Sequence, residues 1–301
     1  MRTAFIEQLI NEAKNDASVF LVVADLGFSV VEPFAELFPD RFLNAGVAEQ
    51  NMTGIAAGLA TQGYTVFTYS IANFPTLRCL EQIRLDVCYH DVNVKVVAVG
   101  GGYAYASLGA SHHGTEDLGI MRVLPNLVVT APGDPAEARA IVSHLVKHKG
   151  PAYLRLGKAG EPIVHNDSVN IVFGKAIKAF EGKKGVVLST GSMLKYSHDF
   201  IKLGGHDLGL YSFPYIKPLD AETLIELSKR YSIFYTIEEH QKAGGFGSAV
   251  LETLNDLFSD GKIERMPMIR RIAIPDTFIS VAGSQEYLRK IAGLTLENVI
   301  G

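Results

Sequence analysis

The sequence predicts an α/β protein built from two doubly wound, mostly parallel sheets. Short apolar runs alternate with helical patterns along most of the chain, the signature of a sheet covered by helices. Those runs are apolar throughout rather than at every second residue, as in strands buried on both faces. The pattern lapses once, over residues 157–170, and then resumes as a second, shorter series.

The elements follow in order. Met1 to Glu7 opens an amphipathic helix with no signal-peptide core. Strands are expected at 19–24, 42–45, 64–69, 94–99, 127–131 and 152–156, with helices near 30–38, 48–62, 74–89, 115–124 and 134–148. The second series has strands near 185–189, 207–212, 232–237 and 269–274, and Asp220 is an N-cap for a helix over 221–230. The expected division is a first domain over 1–160, a linker over 161–175 and a second domain over 176–301.

Composition narrows the function classes. A chain of 301 residues is long enough for two domains with real cores. A net charge of −4 argues against nucleic acid or an anionic membrane as partner. No apolar run approaches the roughly 20 residues of a membrane span. Cys79 and Cys88 read as buried thiols without metal-ligand spacing, and the expected location is the cytoplasm.

Ligands of open α/β sheets sit beyond the carboxyl ends of the strands. That edge gathers residues 25–29, 46–50, 69–74, 100–113 and 156–158, the loops richest in glycine, aromatic and polar residues. One stretch within it, residues 44–60, places Glu49 in the first turn of a helix whose interior is small and apolar. The sequence has no Gly-x-x-x-x-Gly-Lys-Ser/Thr loop and no Gly-x-Gly-x-x-Gly opening a helix. His112 and His113 are adjacent and diverge on any regular element, so they do not share a metal, and no metal ligand is expected.

Ala48-Glu49-Gln50-Asn51-Met52 with Gly54-Ile55-Ala56-Ala57-Gly58 resembles the pyrimidine-binding domain of transketolase-like, thiamine-diphosphate-dependent enzymes. So do Glu81-Gln82-Ile83-Arg84, Gly109-Ala110-Ser111-His112 with Glu116-Asp117, and Gly150-Pro151-Ala152-Tyr153-Leu154-Arg155. Glu238-Glu239-His240 followed by Gly244-Gly245-Phe246-Gly247 resembles the C-terminal domain of the same family. The resemblance covers essentially the whole chain, with its pieces in the family's order.

The resemblance implies that Glu49 hydrogen-bonds a ring nitrogen of the cofactor's aminopyrimidine and that Phe74 stacks on that ring. It places Asp25 and Tyr69 near the cofactor, His112 beside the reacting carbonyl, and Ser29 and His113 in the loops that line the substrate. Family members of full length carry a further N-terminal domain whose Gly-Asp-Gly…Asn motif holds Mg²⁺ and the diphosphate. Here Gly133-Asp134-Pro135 is a helix-opening turn instead. The implied arrangement is therefore the C-terminal subunit of a split enzyme, with an N-terminal subunit holding metal and diphosphate and the two forming a dimer of heterodimers.

The implied reaction is transfer of a two-carbon ketol unit from a ketose, free or phosphorylated, to an aldehyde. Two alternatives stay open: a pyruvate-like donor that is decarboxylated, and a non-catalytic partner-binding subunit. Departures from the family bear on the substrate. Leu108 stands where transketolases have an aspartate, and Gly100 and Gly101 stand where relatives have a phosphate-binding histidine or arginine. These glycines are expected to widen the entrance and to leave Tyr103 and Tyr105 as acceptor contacts. Lys158 and Arg2 are the basic residues expected near an anionic group.

Overall fold

The computed structural model describes residues 1–158, 160–165, 169–297 and 300. Residues 166–168 of the expected linker, 159 in the first expected domain and 298, 299 and 301 in the second lie outside the described residues.

Helix α1 (Arg2–Asn15) buries Phe5, Ile6, Leu9 and Ala13, the helical spacing of its opening residues. It is followed by β1 (Val19–Val23), α2 (Glu32–Leu37), β2 (Phe42–Asn44), α3 (Glu49–Thr61) and β3 (Thr65–Ile71). The chain continues through α4 (Leu80–Gln82), which runs into a π-helical stretch Ile83–Tyr89, and then β4 (Val94–Val99), α5 (Asp117–Arg122), β5 (Val128–Thr130), α6 (Pro135–Lys147) and β6 (Ala152–Leu156). The second series comprises β7 (Ile177–Phe180), β8 (Val186–Ser189), α7 (Met193–Leu203), β9 (Gly209–Ser212), β10 (Tyr215–Lys217), α8 (Ala221–Arg230), β11 (Ile233–Gln241), α9 (Phe246–Ser259), β12 (Met268–Ile274) and α10 (Gln285–Ile291).

The strands form two sheets, ordered β10-β5-β6-β4-β3-β1-β2 and β12-β11-β8-β9-β7. Among the described residues every strand pairing is parallel except β10 on β5 and β7 on β9. Both exceptions are edge strands that the sequence pattern did not indicate, because three or four residues carry too little alternation to register. Strand β10 follows β9 of the second sheet yet pairs with the first, so Tyr215–Lys217 cross between the two halves. Among the described residues no helix is long and apolar enough to cross a membrane.

The expected helix over 74–89 is the largest local departure. Residues 72–79 turn instead, with Phe74 N–H on Ile71 O (2.8 Å), Thr76 Oγ1 on Ala72 O (2.6 Å) and Cys79 N–H on Thr76 O (3.1 Å) taking up groups that a helix would pair. Helix begins only at Leu80. That detour brings Phe74 and Arg78 onto the carboxyl edge of the first sheet.

One apolar core runs from the α3 face of the first sheet (Met52, Ala56, Val66, Tyr153) into the second sheet (Val186, Phe213, Phe246). A second core covers the opposite face of the first sheet beneath α1 and α6, and contains Phe5, Phe67, Tyr69 and Leu145. The two halves therefore share buried surface, and the carboxyl edge of the first sheet lies at their junction.

Asp220 is the predicted cap and more. Its carboxylate accepts Thr223 N–H (3.2 Å), Thr223 Oγ1 (2.7 Å) and Ala176 N–H (2.9 Å), tying the start of α8 to the chain entering β7. Burial alone pushes its carboxyl up, but the bonds from Thr223 and Ala176 and the nearby Lys175 outweigh it and hold it below the ordinary aspartate range. A carboxyl held lower in the fold than in the unfolded chain contributes stability that is complete above the unfolded value and lost as pH falls through the folded one. Asp220→Ala should therefore destabilise the chain by about 2 kcal/mol at neutral pH. Denaturant titrations at pH 7 and pH 3 should show the gap between wild type and variant narrowing as the solution is acidified.

Candidate active site

The site begins with a staple. Asn44, at the end of β2, accepts Asp25 N–H and Gly46 N–H (3.0 Å each) on its amide oxygen and donates to the Asp25 carboxylate (3.0 Å). One side chain thus joins the loop after β1 to the loop that leads into α3. Gly46, at φ +73°, allows the turn, and α3 then starts at Glu49 with no side-chain cap from Ala48.

Glu49 is only 2% exposed, although it begins a helix. Its Oε2 is 2.8 Å from Arg78 Nη1, and Gln50 Nε2 holds the Arg78 carbonyl at 3.0 Å. The Arg78 guanidinium stands 4.6 Å from the centre of the Phe74 ring. Phe74 meets the His112 ring nearly edge-on, with centres 5.4 Å apart. Ser111 Oγ lies 2.9 Å from His112 Nδ1, and Asn73 Nδ2 donates to the His113 carbonyl at 2.5 Å. A continuous chain of contacts therefore gathers Glu49, Phe74 and His112 at one spot. It includes Arg78, which sequence reasoning missed and which, 48% exposed, forms the rim.

The other expected residues divide. Asp25 and Ser29 are exposed on the adjoining loop, both with positive φ (52° and 63°). Leu108 is 54% exposed on a turn over Ala106–Leu108, one glycine before the turn that carries His112. His113 points inward: it is buried edge-on against Tyr103 with centres 5.0 Å apart, and burial pushes its imidazole below the ordinary histidine value. Tyr69 does not join Glu49. Strand side chains alternate, and Tyr69 shares the α1 face with Phe67, stacked 5.7 Å from Phe5, opposite the face that carries α3. Burial pushes its phenol up while Arg2 beside it acts the other way. Arg2 belongs to that group with Tyr105. Lys158 lies exposed on a cleft of about 680 Å³ between the two halves, with Ser192, Lys195 and Arg289.

The glycines after β4 do not widen an entrance. A Cβ at Gly100 would strike the Tyr105 ring, and one at Gly101 would strike Arg155. At Gly102, with φ +65°, it would stand 2.6 Å from Glu239 Cγ. The space is filled by three packed side chains, and Tyr103, 1% exposed, is no acceptor contact. Arg155 lies 3.0 Å from the Asp117 carboxylate, and Tyr153 donates to the same carboxylate at 2.6 Å. Among the described residues no cluster of three or more His, Cys, Asp or Glu is placed to hold a metal.

Residues 1–160 match the transketolase pyrimidine-binding domain, and residues 174–299 match the transketolase C-terminal domain. The chain belongs to the transketolase family. It is similar to one subunit of the apulose-4-phosphate transketolase of Actinobacillus succinogenes, at 33% identity over 98% of this chain and 94% of that protein. It is also similar to a 6-deoxy-6-sulfo-D-fructose transketolase subunit of a Clostridium species, at 34% identity over 100% of this chain and 92% of that one. A solved split-gene transketolase, described as an inactive β4 tetramer, superposes with a TM-score of 0.86 at 34% identity, covering 99% of this chain and 95% of that one. As in that split-gene transketolase chain, both sheets here lie in one polypeptide of similar length.

The stretch from Glu238 to Gly247 joins β11 to α9 in the transketolase C-terminal domain. Glu238 accepts the N–H groups of Phe246 (2.5 Å) and Gly247 (2.7 Å), and so satisfies the start of α9. Glu239 turns the other way, toward the glycines after β4. Gly101→Ala should force Arg155 away from Asp117, and breaking such a buried pair costs roughly 3 kcal/mol. A thermal melt of the variant should show that loss, whereas Gly109→Ala, where nothing stands within 4 Å of the added atom, should lose only the smaller strain of its positive φ.

Proposed function

We propose that this chain is the pyrimidine-side subunit of a split, thiamine-diphosphate-dependent transketolase that moves a two-carbon ketol unit from a ketose to an aldehyde. The observation that carries the reading is the buried carboxylate of Glu49 set beside the Phe74 ring and the His112 imidazole at the carboxyl edge of the sheet. These groups fit the flat, hydrogen-bonding half of the cofactor. Bound there, the cofactor would supply the electron sink for carbon–carbon cleavage. Glu49 would bond a ring nitrogen, Phe74 would stack on the ring, and His112, steadied by Ser111, would move a proton at a substrate hydroxyl.

The other half of the site is assigned to an N-terminal subunit holding Mg²⁺ and diphosphate. In support, the acid of Gly133-Asp134-Pro135 is already committed: Asp134 accepts Glu137, Val164 and His165 N–H, each at 2.9 Å. The proposed division of the chain is 1–160, a linker over 161–175, and 176–301 with β10 reaching back to the first sheet. The proposed assembly is a dimer of heterodimers. Exposed apolar residues on the loops around Glu49 and Phe74 support a protein partner there, with Phe28, Val47 and Leu77 in the lead, as does the open face of α3 at Gly54 and Gly58. The setting is assigned to the cytoplasm, in keeping with two free, buried thiols.

The substrate is read as an atypical ketose. Relatives named for apulose 4-phosphate and 6-deoxy-6-sulfofructose support it, and so does the exposed, apolar Leu108 beside His112. A donor hydroxyl pressed against leucine loses a partner, at a cost of roughly 1–3 kcal/mol. With the partner subunit present, Leu108→Asp should raise kcat/KM for xylulose 5-phosphate relative to an atypical donor by ~10-fold. A panel in which the ratio does not move would remove Leu108 from specificity.

Glu49→Gln should keep the fold and lose most turnover, since the amide cannot share a proton with the ring nitrogen. Steady-state assays of the reconstituted pair should show a fall of more than ~10-fold, beyond about 1.4 kcal/mol of transition-state stabilisation. A smaller fall would reduce Glu49 to a first-turn carboxylate of α3.

A further inference from the structure

We infer that Glu239, on the second sheet, is the positioning residue that holds the substrate loop of the first domain. The inference rests on the reading above that Leu108 and His112 face the substrate. Glu239 itself touches no reacting atom.

The loop between β4 and α5 is closed at its base. Gly102 N–H donates to Gly114 O (2.6 Å) and Gly114 N–H returns to Gly102 O (2.9 Å), so residues 103–113 form a closed excursion carrying Leu108, His112 and His113. Just inside that closure, Tyr103 N–H donates to Glu239 Oε1 at 3.0 Å. The Tyr103 ring then packs on His113, and Asn73 holds the His113 carbonyl. Arg155 reinforces the base by donating to both Gly114 O and Glu239 O. Position 102 must be glycine for Glu239 to come this close.

The carboxylate is anchored from behind. Its Oε2 takes Arg289 Nη2 (2.7 Å), Ser192 Oγ (2.7 Å) and Gln285 Nε2 (3.0 Å), all from the second domain, and Gln285 Nε2 also reaches Oε1 at 3.2 Å. Burial alone would push the Glu239 carboxyl up; Arg289, with Ser192 and the Tyr103 N–H, holds it below the ordinary glutamate value. Glu239 thus has a back, where charge matters, and a front, where reach matters. Its neighbour Glu238 is equally buried on the same strand, but bonds only within its own domain, to the start of α9.

Two substitutions separate back from front. Glu239→Asp keeps the charge for Arg289 and withdraws the carboxylate from Tyr103 N–H. Glu239→Gln loses the charge and keeps the reach: with its amide N–H₂ turned to Ser192 Oγ, its one oxygen still accepts Tyr103 N–H. Melting temperature should follow charge, with Asp closer to wild type than Gln. Turnover with the partner subunit should follow reach: Gln within ~3-fold of wild-type kcat, Asp down ~10-fold or more. Amide hydrogen exchange across residues 103–113 should rise in Asp and stay near wild type in Gln. Glu238→Gln, the control, should lower the melting temperature and leave kcat within ~2-fold.

If activity ranks as stability ranks, with Asp above Gln, or if Glu238→Gln loses as much turnover as Glu239→Asp, Glu239 is structural and the inference is wrong. Exchange does not need turnover. An Asp variant whose loop exchanges no faster than wild type overturns the inference even if the functional reading stands. A pair with no ketol transfer overturns the functional reading while exchange still decides whether Glu239 holds the loop.

Discussion

Close backbone approach at Gly100, Gly101 and Gly102 is the constraint on which the rest of the junction depends. Three consecutive positions after β4 each give up a side chain so that Tyr105, Arg155 and Glu239 can occupy that volume. Tyr105 belongs to the loop itself, Arg155 to the neighbouring strand β6, and Glu239 to β11 of the other sheet. Loop, first sheet and second sheet therefore meet within a few ångströms, and packed interiors transmit a displaced methyl group rather than absorb it. Leu108 and His112, the residues proposed to face the substrate, hang from that knot.

Charge at the junction is handled by pairing. Arg155 and Asp117 are both nearly inaccessible and face each other at 3.0 Å, while Glu239 faces Arg289. Buried ions of this kind add little net stability beyond what apolar residues could supply, but each becomes costly once its partner leaves. Glu238 and Glu239 show what a partner does. Glu238, hydrogen-bonded by backbone N–H groups and with Arg155 and Arg271 acting only through space, is pushed up to about 7 by burial, whereas Glu239 is held down by Arg289 in direct contact. Adjacent glutamates on one strand differ because only one has a full charge within hydrogen-bond reach.

Much of the fold was legible because it lies along the chain. Continuous apolar runs gave ten of the strands, and Asp220 declared its helix. What was not legible lies across the chain. β7 and β10 are edge strands too short to show alternation, and β10 joins a sheet that its neighbours in sequence do not. The helix expected from residue 74 begins only at Leu80, and the turns before it present Phe74 and Arg78. Arg78 gave no signal, because an arginine in a turn reads as a solvated cation until Glu49 is found beneath it. Tyr69 misled for a simpler reason: proximity to the carboxyl edge does not say which face of the sheet a side chain takes. The glycines misled most, since an absent side chain looks the same whether it opens a cavity or admits a neighbour.

The same geometry suits the proposed half-site, whose groups are held by contacts on one side and open on the other. On the inner side, Glu49 is fixed by Arg78, Phe74 is packed between Arg78 and His112, and the substrate loop is tied at 102, 103 and 114. On the outer side, Phe28, Val47, Leu77 and Leu108 present apolar surface to solvent beside those fixed groups. Covering such a surface is favourable at roughly 25 cal/mol per Å², whereas ordering the polar groups beneath it at the moment of docking would oppose association through lost conformational entropy. A chain whose proposed site residues are already held in place spares docking that ordering cost. Preorganisation on one side and exposure on the other are thus complementary: the first domain supplies the edge, the second domain holds its loop still, and the surface left open suits the proposed partner subunit.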